Sequence, residues 1–542
     1  MAMAAQRPEV FTRRASGLVR VMSPYSAFVY NILTMGLIFP WTYLWAPGAL
    51  PGGNLFWGIV FAMVLEIPIA LAYVWLSTAL PRSGGDYVFQ SRVFGGGIGF
   101  SIVMSGFVIW ILQWVALSGW LLAYLGFAPL FLGLGATVHS AAMTSLGLWF
   151  TSPWGIFITS IANALIALLL LVSGFKNYVR FQHVMWIATL LAFAIMLVVL
   201  FGTTPQSFAD KMNSFVVASG GQPNFYQTAL SAAKAKSIDL APPFSLMATL
   251  LVAPIAWTSL QWASYSAQQN GEIKNARSFR SQMIIIIGSL VVTGILLAIL
   301  AAAFEHAIGT DFLYVAGAGY WSGLSEGTFN GVYLWPNIVA MAIAQHPLIV
   351  LLIGIGYILN SFQIVNNCYI GMTRVMVAMS LDRLLPEWVS RVSDRLHTPV
   401  NAHIAYFIAS VPVIILYDFW GQWTALTLGV TFACGYVFVV TALAGALLPY
   451  RAKALYDASP GAQYTIGGLP AVTVIGGVGA VVGAIMVLMF IFYDAFGLTS
   501  VLARNVVIGV LIVSIVWYWL AKFMQKSRGI DVGFAFKEIP PE

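Results

Sequence analysis

The chain has 542 residues, 60% of them hydrophobic and 8% charged, with a formal net charge of +7. A soluble domain carries about 25% charged residues, and the mean hydropathy here is +0.88. This excludes a soluble enzyme, a disordered chain and a nucleic-acid binder, because the basic residues behind the isoelectric point near 9.3 sit at the edges of apolar runs.

Residues 1–23 are polar and basic and lack the apolar core of a signal peptide, so they read as a cytosolic tail. Twelve apolar runs follow, most of them longer than the ~18 residues that mark a membrane helix. They are predicted at 24–46, 54–79, 98–125, 154–174, 183–202, 244–268, 284–304, 347–372, 402–417, 424–448, 470–493 and 504–523. Unbroken runs such as 284–304 reject a β-barrel, whose strands are ~10-residue alternating segments. The stretch 126–153 is apolar but rich in Gly, Thr and Ser, and is expected to form an outer loop, either plain or re-entrant. Two further outer loops are long, 203–243 and 305–346, and the second carries a Trp-bearing stretch expected to lie over the external mouth. The last two spans fall in 449–523, and 524–542 is a second cytosolic tail.

Charge sets the orientation. Of the 25 Lys and Arg residues, only Lys211, Lys234, Lys236 and Arg504 fall outside when both termini are placed inside. Arg7, Arg13, Arg14 and the others lie on inner segments, as the positive-inside rule requires. The expectation is a multi-pass plasma-membrane protein with cytoplasmic termini.

Polar groups at membrane depth mark packing or a pathway. Asn31, Thr34, Gly36 and Pro40 interrupt the first span; Pro254, Thr258, Ser259 and Gln261 interrupt the sixth. Each opens one half of a possible repeat, 24–202 and 244–448. Paired interruptions in corresponding halves point to a transporter site. The site is expected at the backbone of Thr34, Met35 and Gly36 and of Ala256, Trp257, Thr258 and Ser259. Trp257, Trp262, Trp110 and Gln113 are the side-chain candidates, and Trp114 is a further aromatic that could wall a cavity. Glu66 is the one acid placed deep in a span and is a candidate proton carrier. Asp494 and Glu305 fall at outer ends, and Gly476, Gly479 and Gly483 give the eleventh span close-packing spacing. Cys368 and Cys434 offer neither a disulfide framework nor metal-ligand spacing, none of the six histidines pairs at such spacing, and no phosphate-binding loop is present. Neither an enzyme nor a resident metal or cofactor is expected.

Three inner segments mix bend-forming residues with charges of both signs. They are the turn from Pro81 through Arg82, Gly84, Gly85 and Tyr87; the run Glu272, Lys274, Asn275; and the run Arg374 through Asp382 to Pro386. Physically they suggest an inner gate of exchangeable ion pairs.

These blocks resemble the amino acid–polyamine–organocation permeases. Pro81, Ser83, Gly84, Gly85 and Tyr87 are similar to P-x-S-G-G-x-Y; Glu272, Lys274 and Asn275 to E-x-K-N-P; and Arg374, Ala378, Met379, Asp382, Leu385 and Pro386 to the loop after the eighth span. The resemblance implies an all-α, LeuT-like fold of twelve transmembrane helices: an inverted five-plus-five repeat with two peripheral helices. It also implies secondary transport, by symport or exchange, of amino acids or related amines. A fixed lysine on the fifth span of some proton-coupled relatives is Thr189 here. The coupling ion is then a proton carried by Glu66, or sodium held by Thr189, Asn360 and Ser361. With no acid but Glu66 at depth, a neutral or aromatic zwitterion is favoured over a polyamine, organic amine or purine. A channel and a transporter-like nutrient receptor are the rivals from other classes; clustered polar residues and short tails disfavour them.

Overall fold

The structure, a computed structural model, describes residues 16–37, 42–424, 427–493, 496 and 500–537. Arg7, Arg13, Arg14, Pro40 and Asp494 lie outside the described residues. Among the described residues the protein is all-α apart from two short antiparallel hairpins, Thr328–Phe329 with Val332–Tyr333 and Thr465–Ile466 with Leu469–Pro470, and one isolated bridge between Met22 and Ile273. Among the described residues, eleven helices are long and apolar enough to cross a membrane. Helices are numbered below by the predicted span they occupy.

The first predicted span is not among those eleven. It is two shorter helices, Pro24–Met35 and Thr42–Ala49. Gly36 ends the first of them at φ 79, ψ 91, a conformation that costs glycine little. The sixth span continues unbroken but changes its winding. Leu246–Leu260 is α-helical, and Gln261–Glu272 is a tighter 3-10 segment with Gln269 off the helical path at φ −111, ψ 29. Twelve residues is long for this winding, which rarely exceeds 3–4. Its side chains are all buried, so neighbouring elements rather than solvent meet its polar groups. Asn31 is one of them: its Oδ1 accepts from Ser266 N (2.9 Å) while its Nδ2 donates to Ile285 O (3.1 Å), tying first, sixth and seventh helices together.

The stretch 126–153 is helical, not a loop. The third helix runs Gly96–Thr137, loosened by wider turns at Met104–Ile109 and Leu122–Phe127, and a further helix, Ala141–Thr151, folds back on it. Its glycines are contact points rather than loop markers. A Cβ on Gly135 would stand 2.4 Å from Thr144 Oγ1, and one on Gly147 would stand 2.8 Å from Leu132 Cγ. The fifth and eighth helices also outrun their predicted spans, at Phe175–Phe201 and Pro347–Leu381. Residues 203–243 and 305–346 hold helices of their own, among them Pro205–Ala218 and Pro336–Ala344. In the second of these loops Trp335 packs with Tyr320 and Tyr333, and Asn337 reaches Leu125 O (2.9 Å) in the second wider turn of the third helix. The eleventh-span glycines pack as their spacing suggests. Gly476 faces Ala442 and Ala446 of the tenth helix, and Gly479 faces Pro68 and Ile69 of the second.

If the Ala141–Thr151 helix is held by this close approach, Gly135→Val should destabilise the protein by about 1–3 kcal/mol, the cost of overpacking. Thermal unfolding in detergent, followed by tryptophan fluorescence, checks it. An unchanged midpoint would contradict the packing.

Candidate functional site

Where the two irregular helices meet lies a narrow cavity of about 30 Å³, well under the usual range for small-molecule sites. Thr34, Met35 and Gly36 line it from the first helix, and Thr258, Ser259, Trp262 and Tyr265 from the sixth. Ile111 and Trp114 come from the third helix, and Ile364, Asn367 and Cys368 from the eighth. No charged side chain is among these residues.

Aromatic packing shapes one wall. Trp262 lies edge-on to Trp114 (5.6 Å between centroids) and to Tyr265 (5.2 Å), and stacks with Phe107 (6.1 Å). Its indole N–H is spent on Thr258 O (2.9 Å), which fixes the ring. The Trp114 Nε1 and the Tyr265 hydroxyl are buried with no hydrogen-bond partner among the described residues. Buried polar groups are nearly always paired, so these two are the donors most ready to meet a ligand. Tyr265 fits because the eighth helix has Gly371 beneath it: a Cβ there would be 2.4 Å from the phenol oxygen.

The opposite wall is polar and neutral. Asn367 Nδ2 donates to Thr34 Oγ1 (2.7 Å), and Thr34 donates on to Tyr30 O (2.6 Å). Asn367 Oδ1 accepts from Gln363 (2.6 Å) and Tyr178 (3.2 Å), and Gln182 Nε2 reaches Ser26 O (2.9 Å). Amides and a phenol from the fifth and eighth helices thus brace the end of the first.

Of the expected binding residues, Thr34, Met35, Gly36, Thr258, Ser259 and Trp262 line this cavity; Trp110, Gln113, Ala256 and Trp257 do not. Gln113 accepts from the Trp423 indole instead, and Trp110 and Ala256 are buried beside the cavity. Trp257 points the other way, donating to Glu66 Oε2 at 2.5 Å. Glu66 is fully buried, and its Oε1 has no partner among the described residues. Glu305, by contrast, is part-buried near the end of the seventh helix. The ion candidates Thr189, Asn360 and Ser361 are buried and likewise unpartnered among the described residues, away from the cavity lining. Asn367 was missed although Gln363 and Asn367 stand four apart, the spacing of one helical face.

The three motif segments converge on one face of the protein. Gly84 N donates to Gln268 O (2.8 Å) at φ 104, and its Cβ would stand 2.5 Å from Ala378 Cβ, so only glycine fits between the sixth and eighth helices. Glu272 and Arg374 form a fully buried two-pronged ion pair (2.7 and 3.0 Å). Arg374 also donates to His403 Nε2 (3.2 Å) and lies 4.8 Å over the Phe175 ring. Asp382 pairs with Arg92 in the same two-pronged way (2.7 and 3.1 Å) and accepts from the Tyr87 hydroxyl (2.7 Å). Arg92 was not among the expected gate residues: ten residues from the glycine turn's Arg82, it is brought to Asp382 by the Gly85–Phe94 helix. Arg82 instead donates to Pro81 O (3.4 Å). Lys274 is exposed, but its backbone N–H reaches Met22 O (2.8 Å), where the N-terminal segment pairs with Ile273. A second unforeseen feature is Asp86, fully buried and accepting from Thr441 Oγ1 (2.5 Å) and from the Tyr73 and Gln268 side chains.

Two comparisons bear on this arrangement. A family described as amino acid permease matches residues 25–516. An uncharacterised protein, number 399, of Sulfolobus islandicus rod-shaped virus 1 is 34% identical over 83 residues. That match covers 15% of this chain and 21% of the viral protein, so the chain spans about a fifth of that relative's length.

The buried pair gives a stability prediction. Arg374→Met alone should cost about 3–5 kcal/mol, because it strands the Glu272 carboxylate. Adding Glu272→Gln should recover much of the loss. A double-mutant cycle on the denaturation midpoint in detergent measures this; additive losses would mean the two side chains do not depend on each other.

Proposed function

The chain belongs to the amino acid permease family, and on that premise we propose that it carries neutral or aromatic zwitterionic amino acids by alternating access. It is a multi-pass membrane transporter and not an enzyme. One observation carries the substrate reading: the cavity between the two irregular helices is lined by tryptophans, a tyrosine, hydroxyls and an amide, with no charged side chain. A cationic amine or polyamine would need a fixed acid there, and Glu66 is occupied with Trp257 instead. The C-terminal end of Pro24–Met35 lies at the cavity, which Met35 and Gly36 line. Helix C-termini are partially negative, which suits the ammonium group. The aromatic wall suits an apolar side chain.

In this reading, 24–202 and 244–448 are the two inverted repeats, and each opens with a helix that abandons regular winding at the cavity. The motif face, closed by Glu272–Arg374 and Arg92–Asp382, is the cytoplasmic gate of a plasma-membrane protein with both termini inside. Protons are the coupling ion. A carboxyl deep in an apolar setting favours its neutral form, and Glu66 touches the sixth helix through Trp257, three residues before Leu260. Charging Glu66 would strengthen that hydrogen bond, which links the proton to the wall of the cavity.

Proteoliposome uptake tests the reading. Labelled neutral and aromatic amino acids should accumulate, with lysine, arginine and spermidine failing to compete. An inward proton gradient should drive uptake in Na⁺-free buffer. Glu66→Gln should abolish gradient-driven accumulation while sparing exchange of one substrate for another. Uptake that follows Na⁺ and ignores both pH and Glu66 would hand the coupling role to Thr189, Asn360 and Ser361.

Gly36→Leu gives a second check. A leucine at this positive-φ position is strained and projects beside the cavity. Substrate binding should be lost in protein that still purifies as a folded monodisperse species. Wild-type affinity in that variant would move the site elsewhere.

A further inference from the structure

The twelfth helix, Val501–Ser527, looks peripheral: Trp519, Leu520 and Phe523 all face outward. Its end does not drift away from the protein. The chain turns at Gly529, φ 79, and returns as the short helical segment Val532–Lys537, with Val532 and Ala535 buried. Ala535 O accepts from Arg92 Nη2 at 3.3 Å. The Phe536 ring lies 5.7 Å from the Arg92 guanidinium, and the Tyr87 ring lies 5.9 Å from it. Room for Phe536 exists because the third helix begins with glycine: a Cβ on Gly96 would stand 2.0 Å from its Cζ. One turn from the end of the twelfth helix, Gln525 Nε2 donates to Arg383 O at 3.1 Å, the residue next to Asp382.

Both members of the Arg92–Asp382 pair are therefore held from outside the cavity by one stretch of chain. We propose that residues 525–537 are a clamp on this gate, and that Gln525 and Phe536 are positioning residues of the transport cycle. The proposal rests on reading the pair as the gate. A buried ion pair is stable only when the remaining donors of its arginine are satisfied. Ala535 supplies such an acceptor, and the Phe536 ring covers the cation. The carbonyl of Arg383 fixes the backbone that aims Asp382. Loosening the clamp weakens the closed state and shifts the population toward the one open at this face.

The chain carries its own reporter. Cys368 lines the cavity, and Cys434, the other cysteine, is replaced by serine. Cys368 is then labelled with a membrane-impermeant maleimide in vesicles of both orientations. Phe536→Ala and Gln525→Ala should each raise labelling from the motif face by about fivefold or more, with labelling from the other face falling. Phe536→Tyr, which keeps the ring, should label as the parent does. Asp382→Asn is the control for the gate itself. If it raises labelling and neither clamp variant does, the clamp is wrong and the gate stands. If none of the three does, both are wrong. Thermal midpoints taken alongside separate a shifted gate from an unfolded protein, and Gln525, being only part-buried, supplies the variant least able to unfold it.

Discussion

Backbone that leaves the α-helical ladder inside an apolar protein must find other partners, and the Gln261–Glu272 segment is where this chain meets that demand. Ser266 N is taken by Asn31, Gln268 O by Gly84 N, and Glu272 O by Met22 N. The side chains do the same work: Asn270 bonds Ser77 O and Gln282, Gln268 bonds Asp86, and Glu272 bonds Arg374. Through these contacts one segment is tied to the first, second, seventh and eighth helices and to the N-terminal segment at Met22. Its first turns, Trp262 and Tyr265, are cavity wall; its last residue, Glu272, is half of an ion pair. The cavity and the motif face are thus lined from two ends of a single piece of chain.

The electrostatics divide along the same line. Around the cavity the polar groups are neutral: Thr34, Thr258, Ser259, Asn367 and the tyrosine and tryptophan donors. At the motif face full charges are buried in opposed pairs. Buried pairs contribute little net stability against an apolar replacement, yet removing one partner is costly. That combination suits a closure made and unmade as a unit. Glu66 and Asp86 differ, buried acids whose hydrogen-bond partners among the described residues are neutral: an indole N–H for Glu66, and Tyr73, Gln268 and Thr441 for Asp86. The position of Glu66 behind the sixth helix, rather than in the cavity, separates the group that would titrate from the group that would be carried.

The peripheral parts of the protein share in this economy. The N-terminal segment at Met22 and the C-terminal segment at Ala535 and Phe536 both pack on the motif face. The opposite face is built differently, from helices within long connections and from the aromatic cluster of Tyr320, Tyr333 and Trp335 against the third helix. One face is held by charge and the other by apolar packing.

Apolar length and local breakers were enough to read the membrane class and the break in the first helix from the sequence. Span length is fixed by bilayer thickness, and Gly36 acts on its own backbone, whereas the sixth helix runs on through Pro254 and changes its winding only from Gln261. The motif blocks were enough to name the family. Local signals failed where a residue's role depends on what faces it. Glycine at 135 and 147 reads as loop yet is helix contact, because a missing side chain serves both. Trp257 and Trp262, five residues apart on one helix, read alike; only packing sends one to Glu66 and the other to the cavity. Arg92 rather than Arg82 meets Asp382 because a short helix carries it there, and Asn367 rather than Asn360 lines the cavity because of how far along the eighth helix the first helix ends. Composition and spacing decide what a chain can bury and how far it reaches. Which side chains share a point in space is set by long-range contacts such as Arg92 with Asp382, and those exist only once the helices have packed.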